Sequence, residues 1–156
     1  MAFEDLPRPP FSSALCYRDP KAAFAWLEKA FGFEPLFAIS DSDGNLLHSE
    51  MTFGGGIIMV GSEWSAKHKS PASLEGLNTQ TVHVQLNEDI DAHCARARAA
   101  GAVIAQEPEQ QFYGDRTYRA VDPEGHIWTF GQTVQELTQA EWDKAGGVIT
   151  TLRPAP

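Results

Sequence analysis

Phe112-Tyr-Gly-Asp-Arg-Thr-Tyr-Arg-Ala-Val-Asp-Pro-Glu-Gly-His-Ile-Trp-Thr-Phe-Gly131 is the stretch whose reading decides the fold. It reads as a polar loop feeding a short strand, a tight turn at Asp122-Pro123-Glu124-Gly125, and a second strand ending in aromatics. Proline presets φ at the second turn position, and glycine accepts the positive φ that closes the turn. The rest of the chain reads as the scaffold that presents this hairpin.

Upstream of the hairpin the chain predicts a strand over Thr79–Leu86 and a helix opened by Asp89, with Ile90, Cys94, Ala97 and Ala100 as its buried stripe and Gly101 at its end. A short strand follows at Ala102–Ala105, then a loop from Glu107 to Arg116, the strand Thr117–Val121, the turn, and the strand His126–Gly131. That order is βαβββ. The first part of the chain predicts the same order. A strand spans Phe11–Tyr17, and Asp19-Pro20 supplies a helix N-cap followed by proline at the first helical position. The helix runs to Phe31 with Ala23, Phe24, Leu27, Ala30 and Phe31 on one face and Gly32 as C-cap. Strands Phe33–Ser40, Leu46–Phe53 and Ile57–Gly61 are separated by turns at Asp41–Gly44 and Gly54–Gly56. Gly32 and Gly101, and likewise Gly56 and Gly125, stand at the same separation, which marks an internal duplication.

The pattern predicts a single α+β domain over 11–132: module one at 11–62, a polar linker at 63–78 that Trp64 pins down, and module two at 79–132. Residues 1–10, with three prolines, predict a loosely ordered lead-in unless they dock on a partner subunit. Residues 133–156 hold a last helix behind the Thr138–Glu141 capping box, stopping at Gly146-Gly147, and a loose tail.

With 156 residues, 42% of them hydrophobic and 21% charged, the chain has the size and content for one buried core. A net charge of -9 argues against nucleic acid, whose phosphates require a basic surface. No apolar run reaches the roughly 20 residues of a membrane span, and the N-terminus lacks a basic segment followed by an apolar one, so the expectation is a cytoplasmic protein with no membrane partner. Cys16 and Cys94 have no metal-ligand spacing around them and read as buried structural thiols.

Two βαβββ modules, the Tyr17-Arg18-Asp19-Pro20 and Asp89-Ile90-Asp91-Ala92 helix starts, the Tyr113-Gly114-Asp115-Arg116 loop and the Asp122–Phe130 hairpin together resemble the vicinal oxygen chelate superfamily, which includes glyoxalase I, extradiol dioxygenases and bleomycin-resistance proteins. The resemblance spans 11–132 and implies a curved mixed sheet from each module, with helices on the convex side and a cup on the other. It further implies a small-molecule ligand in that cup, often with a divalent metal, and a homodimer.

In that superfamily the metal is held near the start of each module's first strand and on each module's last strand. Carried onto this chain, those positions are Ser12, Met59, Thr81 and Thr129. None is a metal ligand of useful strength, so no cofactor is expected. The alternative is a divalent metal on a non-standard set, His48, Glu50 and His83, the first two of which share a strand face with Thr52 that also reads as simply solvated. Strand alternation turns Thr81, His83 and Gln85 toward the cup, because Val82, Val84 and Leu86 must face the helices. The expected ligand-binding residues are therefore Met59, Thr81, His83, Gln85 and Thr129, with Glu50 and His48 beside them. Tyr113 and Arg116 could close over the mouth, or else form a local ion-paired turn. His126 is expected to point away from the cup in a structural hydrogen bond, and His68 and His93 to lie on the surface. There is no nucleophile elbow and no phosphate-binding glycine loop. The functional expectation is a metal-free small-molecule binding protein of the bleomycin-resistance type, of the kind that confers antibiotic resistance. Two alternatives stand beside it: a metal-dependent lyase or dioxygenase on the non-standard set, and a metal-free enzyme with Glu50 or His83 as base.

Overall fold

A computed structural model describes residues 2–154; the first residue of the expected lead-in and the last two of the expected tail lie outside the described residues. The first sheet is built from β1 (Ser12–Tyr17), β2 (Glu34–Ser40), β3 (Leu46–Phe53) and β4 (Gly56–Ser62), with α1 (Pro20–Phe31) between β1 and β2. The second is built from β5 (Val82–Gln85), β6 (Val103–Gln110), β7 (Asp115–Val121) and β8 (Ile127–Thr133), with α2 (Ile90–Ala99) between β5 and β6. Strand orders are β1-β4-β3-β2 and β5-β8-β7-β6. In each sheet the first strand pairs in parallel with the last and the other pairs are antiparallel, so the duplication is structural. A third helix, α3 (Gln139–Gly146), starts at the reciprocal Thr138–Glu141 capping box and ends at Gly147. Among the described residues, no helix is long and apolar enough to cross a membrane.

Most strand boundaries lie within two residues of the sequence reading; β5 and β6 differ by more. β5 begins at Val82, so Thr81 precedes the strand instead of lying inside it. β6 extends to Gln110 and shrinks the expected loop to Gln111–Gly114. Pro108 sits inside β6 without harm, because β6 is an edge strand whose pairing with β7 shifts register between Gln106 and Glu109, where a proline costs no ladder bond.

The two helices cap each other. The last carbonyls of an α-helix have no partner within it, and α2 supplies them: Arg96 donates to the Glu28 and Lys29 carbonyls, and His93 Nε2 donates to that of Phe31 at 2.9 Å. In return Trp26 Nε1 donates to the Ala100 carbonyl at the end of α2. Gly32 ends α1 in the left-handed region at φ 78°, and a Cβ there would press on the Arg96 guanidinium. His93, expected on the surface, is therefore buried at 2% exposure, because Nδ1 also accepts from the Tyr118 hydroxyl at 2.6 Å. The buried residues of α2 are Ile90, His93, Cys94 and Ala97, while Ala100 is only partly covered.

One core runs through both modules. Phe31 of α1 packs against Trp128 and Phe130 of β8 at 5.3 and 4.7 Å, and Tyr118 stacks on Phe130 at 5.0 Å. The Asp122–Gly125 turn fastens the modules where they meet. Asp122 accepts from Tyr17 Oη at 2.7 Å, Trp128 Nε1 at 3.1 Å, and the Glu124 and His126 amides at 3.0 Å. Glu124 in turn accepts from the Arg18 and Asp19 amides before α1 and from Ser70 Oγ of the linker. His126 Nε2 donates to the Cys16 carbonyl. The linker is pinned by Ser70, Glu63, Ser73 and Asn78; Trp64, expected to do this, is exposed and stacks on His68 at 3.8 Å.

The Gln111–Gly114 loop permits a stability prediction. Gly114 has φ 97°, and a Cβ on it would overlap the Gln135 carbonyl oxygen, whose own amide bonds the Gly114 carbonyl. Gly114→Ala is expected to cost about 2–4 kcal/mol, from left-handed strain plus the forced backbone shift. A urea midpoint unchanged from the parent would show that the loop relaxes freely.

Candidate functional site

Both helices cover one face of the sheets, and strand alternation leaves the candidate residues on the other. On β3, Met51 enters the core and Ser49 Oγ donates to the Val60 carbonyl, which turns His48, Glu50 and Thr52 to the opposite face. Register places Phe37 of β2 and Met59 of β4 directly across from Glu50. Glu50 is only 4% exposed. Its carboxyl accepts from His48 Nε2 at 3.2 Å and from Arg8 Nη1 at 3.3 Å. The Arg8 guanidinium lies 5.9 Å from the Phe37 ring centre, Phe3 meets that ring edge-on at 5.4 Å, and the His48 ring lies 5.7 Å away. The segment before β1, expected to be loose or docked on a partner, thus lies on the module-one face of its own chain.

The module-two face carries a second polar group. His83 pairs in register with Thr129, and Thr129 with Arg119 of β7; Asp115 sits across from Thr133. Thr133 Oγ1 donates to Asp115 at 2.7 Å, and Gln85 Nε2 donates to Thr133 Oγ1 at 3.1 Å. With its amide nitrogen so engaged, Gln85 turns its oxygen to His83 Nε2, 3.3 Å away, which makes that nitrogen the protonated one. His83 Nδ1 is left as an acceptor for a ligand. Gly131 lies beneath these side chains: a Cβ there would approach the His83 ring and Gln85 Oε1 at 3.3 Å. A cavity of about 390 Å³ opens beside them, lined by His83, Gln85, Ser13, Phe33, Phe53 and Ile57. Ser13 and Val82 also line a second cavity of about 380 Å³, which extends to the linker.

The expected residues therefore fall into two groups. Glu50, His48 and Met59 gather on the module-one face, and His83, Gln85 and Thr129 on the module-two face, with Thr81 exposed just before β5. No group of three His, Cys, Asp or Glu side chains placed to hold a metal ion occurs among the described residues, so His48, Glu50 and His83 do not assemble within one chain. Tyr113 and Arg116 do not overhang either group. Arg116 shares its face of β7 with core residue Tyr118 and forms a bidentate pair with Asp91 of α2 at 2.8 and 2.9 Å, while Tyr113 packs edge-on against Phe112 and Trp142. The hydrogen bond from Arg116 holds the Asp91 carboxyl below its usual range. Cys94 is buried and Cys16 half-buried, and burial raises both thiol pKa values, which suits inert thiols.

Sequence reading missed Arg8, Phe37 and Arg119. Alternation from the aromatic Tyr118 would have placed Arg119 on the candidate face. Nothing local signals Arg8, whose partner is 42 residues away.

A sequence profile described as the Glyoxalase/Bleomycin resistance protein/Dioxygenase superfamily matches residues 12–130. The uncharacterized protein Mb0911c of Mycobacterium bovis is 33% identical over 137 residues, covering 85% of this chain and 89% of that protein. The crystal structure of TioX from Micromonospora sp. ML1 shares 34% identity and a TM-score of 0.64, over 83% of this chain and all of TioX. TnmS3, an antibiotic binding protein from Streptomyces sp. CB03234, shares the fold at 16% identity and a TM-score of 0.59, over 78% of this chain and 93% of TnmS3. On the profile match, the relatives and the paired βαβββ sheets, the chain belongs to the Glyoxalase/Bleomycin resistance protein/Dioxygenase superfamily.

Proposed function

We propose that this chain binds and sequesters a small organic molecule on the face away from the helices, as a cytoplasmic homodimer, and needs no catalytic metal to do so. The carrying observation is the chemistry of that face. Ser12, Met59, Thr81 and Thr129, the positions that the resemblance to the superfamily's metal-dependent members assigns as ligands, offer two hydroxyls, a thioether and an exposed hydroxyl outside the strand. Such a set does not fit a tightly held divalent ion. What the face offers is a pre-arranged network, His83–Gln85–Thr133–Asp115, beside a cavity with apolar walls, the combination that orients and buries a small ligand. That TnmS3 is an antibiotic binding protein of the same fold supports an antibiotic-like ligand, which sequestration would render harmless to the cell. The rival reading, a metal-dependent lyase or dioxygenase, requires His83 to join His48 and Glu50, and the chain holds them in separate networks.

The test is equilibrium binding of a panel of aromatic and cationic antibiotics, with metal analysis of the same sample. Micromolar or tighter binding, unchanged by dialysis against a chelator and weakened at least tenfold by His83→Ala, is the expected result. Stoichiometric zinc, nickel, manganese or iron that disappears in His83→Ala would overturn the metal-free reading.

A further inference from the structure

The module-one face contains a carboxylate whose setting goes beyond what a structural ion pair requires. Glu50 is nearly buried, faces away from the core, and has an aromatic ring, Phe37, directly across the ladder and His48 bonded to its other oxygen. The cation that fills this setting is loosely held. Arg8 makes one 3.3 Å bond, longer than the usual 2.7–2.9 Å of a charge-assisted contact, and its side chain stays 59% exposed. It approaches the Phe37 ring only to 5.9 Å, near the outer limit of a cation–π contact. A well-buried, pre-positioned anion and ring, met by an exposed and weakly bonded cation from outside the sheet, is the arrangement of a receptor site occupied by a substitute.

We infer that Glu50, Phe37 and His48 form a recognition site for a guanidinium or amidinium group on a flat ligand, and that Arg8 is its intramolecular stand-in. This rests on the small-molecule reading above and names one group that the ligand carries. A planar cation can lie over Phe37 while its N–H edge donates to Glu50, the two contacts Arg8 now makes imperfectly. Ligand entry displaces Arg8 and the Phe3 contact with it, so the segment before β1 works as a competitor within the chain. The overall charge of -9 favours the approach of such a cation.

Phenylguanidinium, with the neutral phenylurea as a near-isosteric control, tests this by titration followed in backbone amide NMR shifts. Phenylguanidinium is expected to shift residues around Phe37, His48 and Glu50 saturably, and phenylurea to leave them in place. Arg8→Ala, an exposed truncation that leaves the core intact, should tighten phenylguanidinium binding roughly three- to tenfold, the strength of one exposed ion pair and cation–π contact. Glu50→Gln should weaken it at least tenfold in both backgrounds. Equal shifts with phenylurea, or an Arg8→Ala midpoint equal to the parent's, would overturn the inference. An antibiotic that binds, is lost in His83→Ala and is indifferent to Arg8→Ala would leave the small-molecule reading standing and remove this site alone. If no antibiotic binds but phenylguanidinium behaves as expected, this site and small-molecule binding on the face stand, and the antibiotic-like ligand alone is removed.

Discussion

Asp122→Ala is expected to cost about 3–5 kcal/mol, because it strips a buried carboxyl from four donors at once. Tyr17 Oη and Trp128 Nε1 would be left without partners in a core where both residues are almost fully buried. The same change frees the Glu124 and His126 amides and so loosens the turn whose Glu124 holds the start of α1. Tyr17 is poised for this role: burial, and then the charge of Asp122, push its phenol pKa well above the usual value, so it remains a donor across the physiological range. For a chain of this length the loss corresponds to a melting temperature lower by roughly 10 °C. Chemical denaturation would check it, with Tyr17→Phe as the companion that removes one donor and one bond, at about 1 kcal/mol. An Asp122→Ala loss below 1 kcal/mol would show that the modules are held by core packing alone.

His93→Ala is expected to be comparably damaging, at about 3–4 kcal/mol, since it opens a cavity among Phe31, Tyr118 and Phe130 and leaves the Tyr118 hydroxyl and Phe31 carbonyl unpaired. His93 also sets a pH dependence. Burial lowers its pKa from the ordinary 6.5, so the unfolded chain takes up a proton there before the folded chain does. Its contribution is therefore complete above about pH 6.5 and is lost as pH falls toward the folded value. Denaturation midpoints measured from pH 7.5 down to pH 5 should fall more steeply for the parent than for His93→Gln, which keeps polar contacts but does not titrate. Parallel profiles would mean that His93 is protonated in the folded state as readily as in the unfolded one.

The fold was open to sequence reading because its signals are local. Asp19-Pro20 and Gly32 bracket α1 as their capping chemistry requires, and Asp89 caps α2 by accepting from the Asp91 and Ala92 amides. The alternation of Val82, Val84 and Leu86 correctly assigned His83 and Gln85 to the face away from the helices, where they bond each other. The misreadings each needed a distant partner. His93 looked like a surface residue of a polar helix until the end of α1, 62 residues away in sequence, supplied a carbonyl for it. Of the two readings open for Tyr113 and Arg116, a lid or an ion-paired turn, the ion pair is the one formed, with Asp91 on α2 as a partner 25 residues away in sequence. The Glu107–Arg116 stretch read as a loop, and pairing with β7 extends β6 through it to Gln110.

By itself the sequence determined the two βαβββ modules, their caps and turns, and which strand residues face away from the core, since these follow from periodicity and from what proline, glycine and a capping carboxylate do within a few residues. Only the tertiary structure decided that Asp122 and Glu124 bolt the modules together, that His48 and Glu50 stand apart from His83, and that Arg8 folds back onto Glu50 and Phe37. The reason is physical. Each of these contacts gains its strength from burial and from a partner dozens of residues away, and neither exists until the sheets and helices have packed.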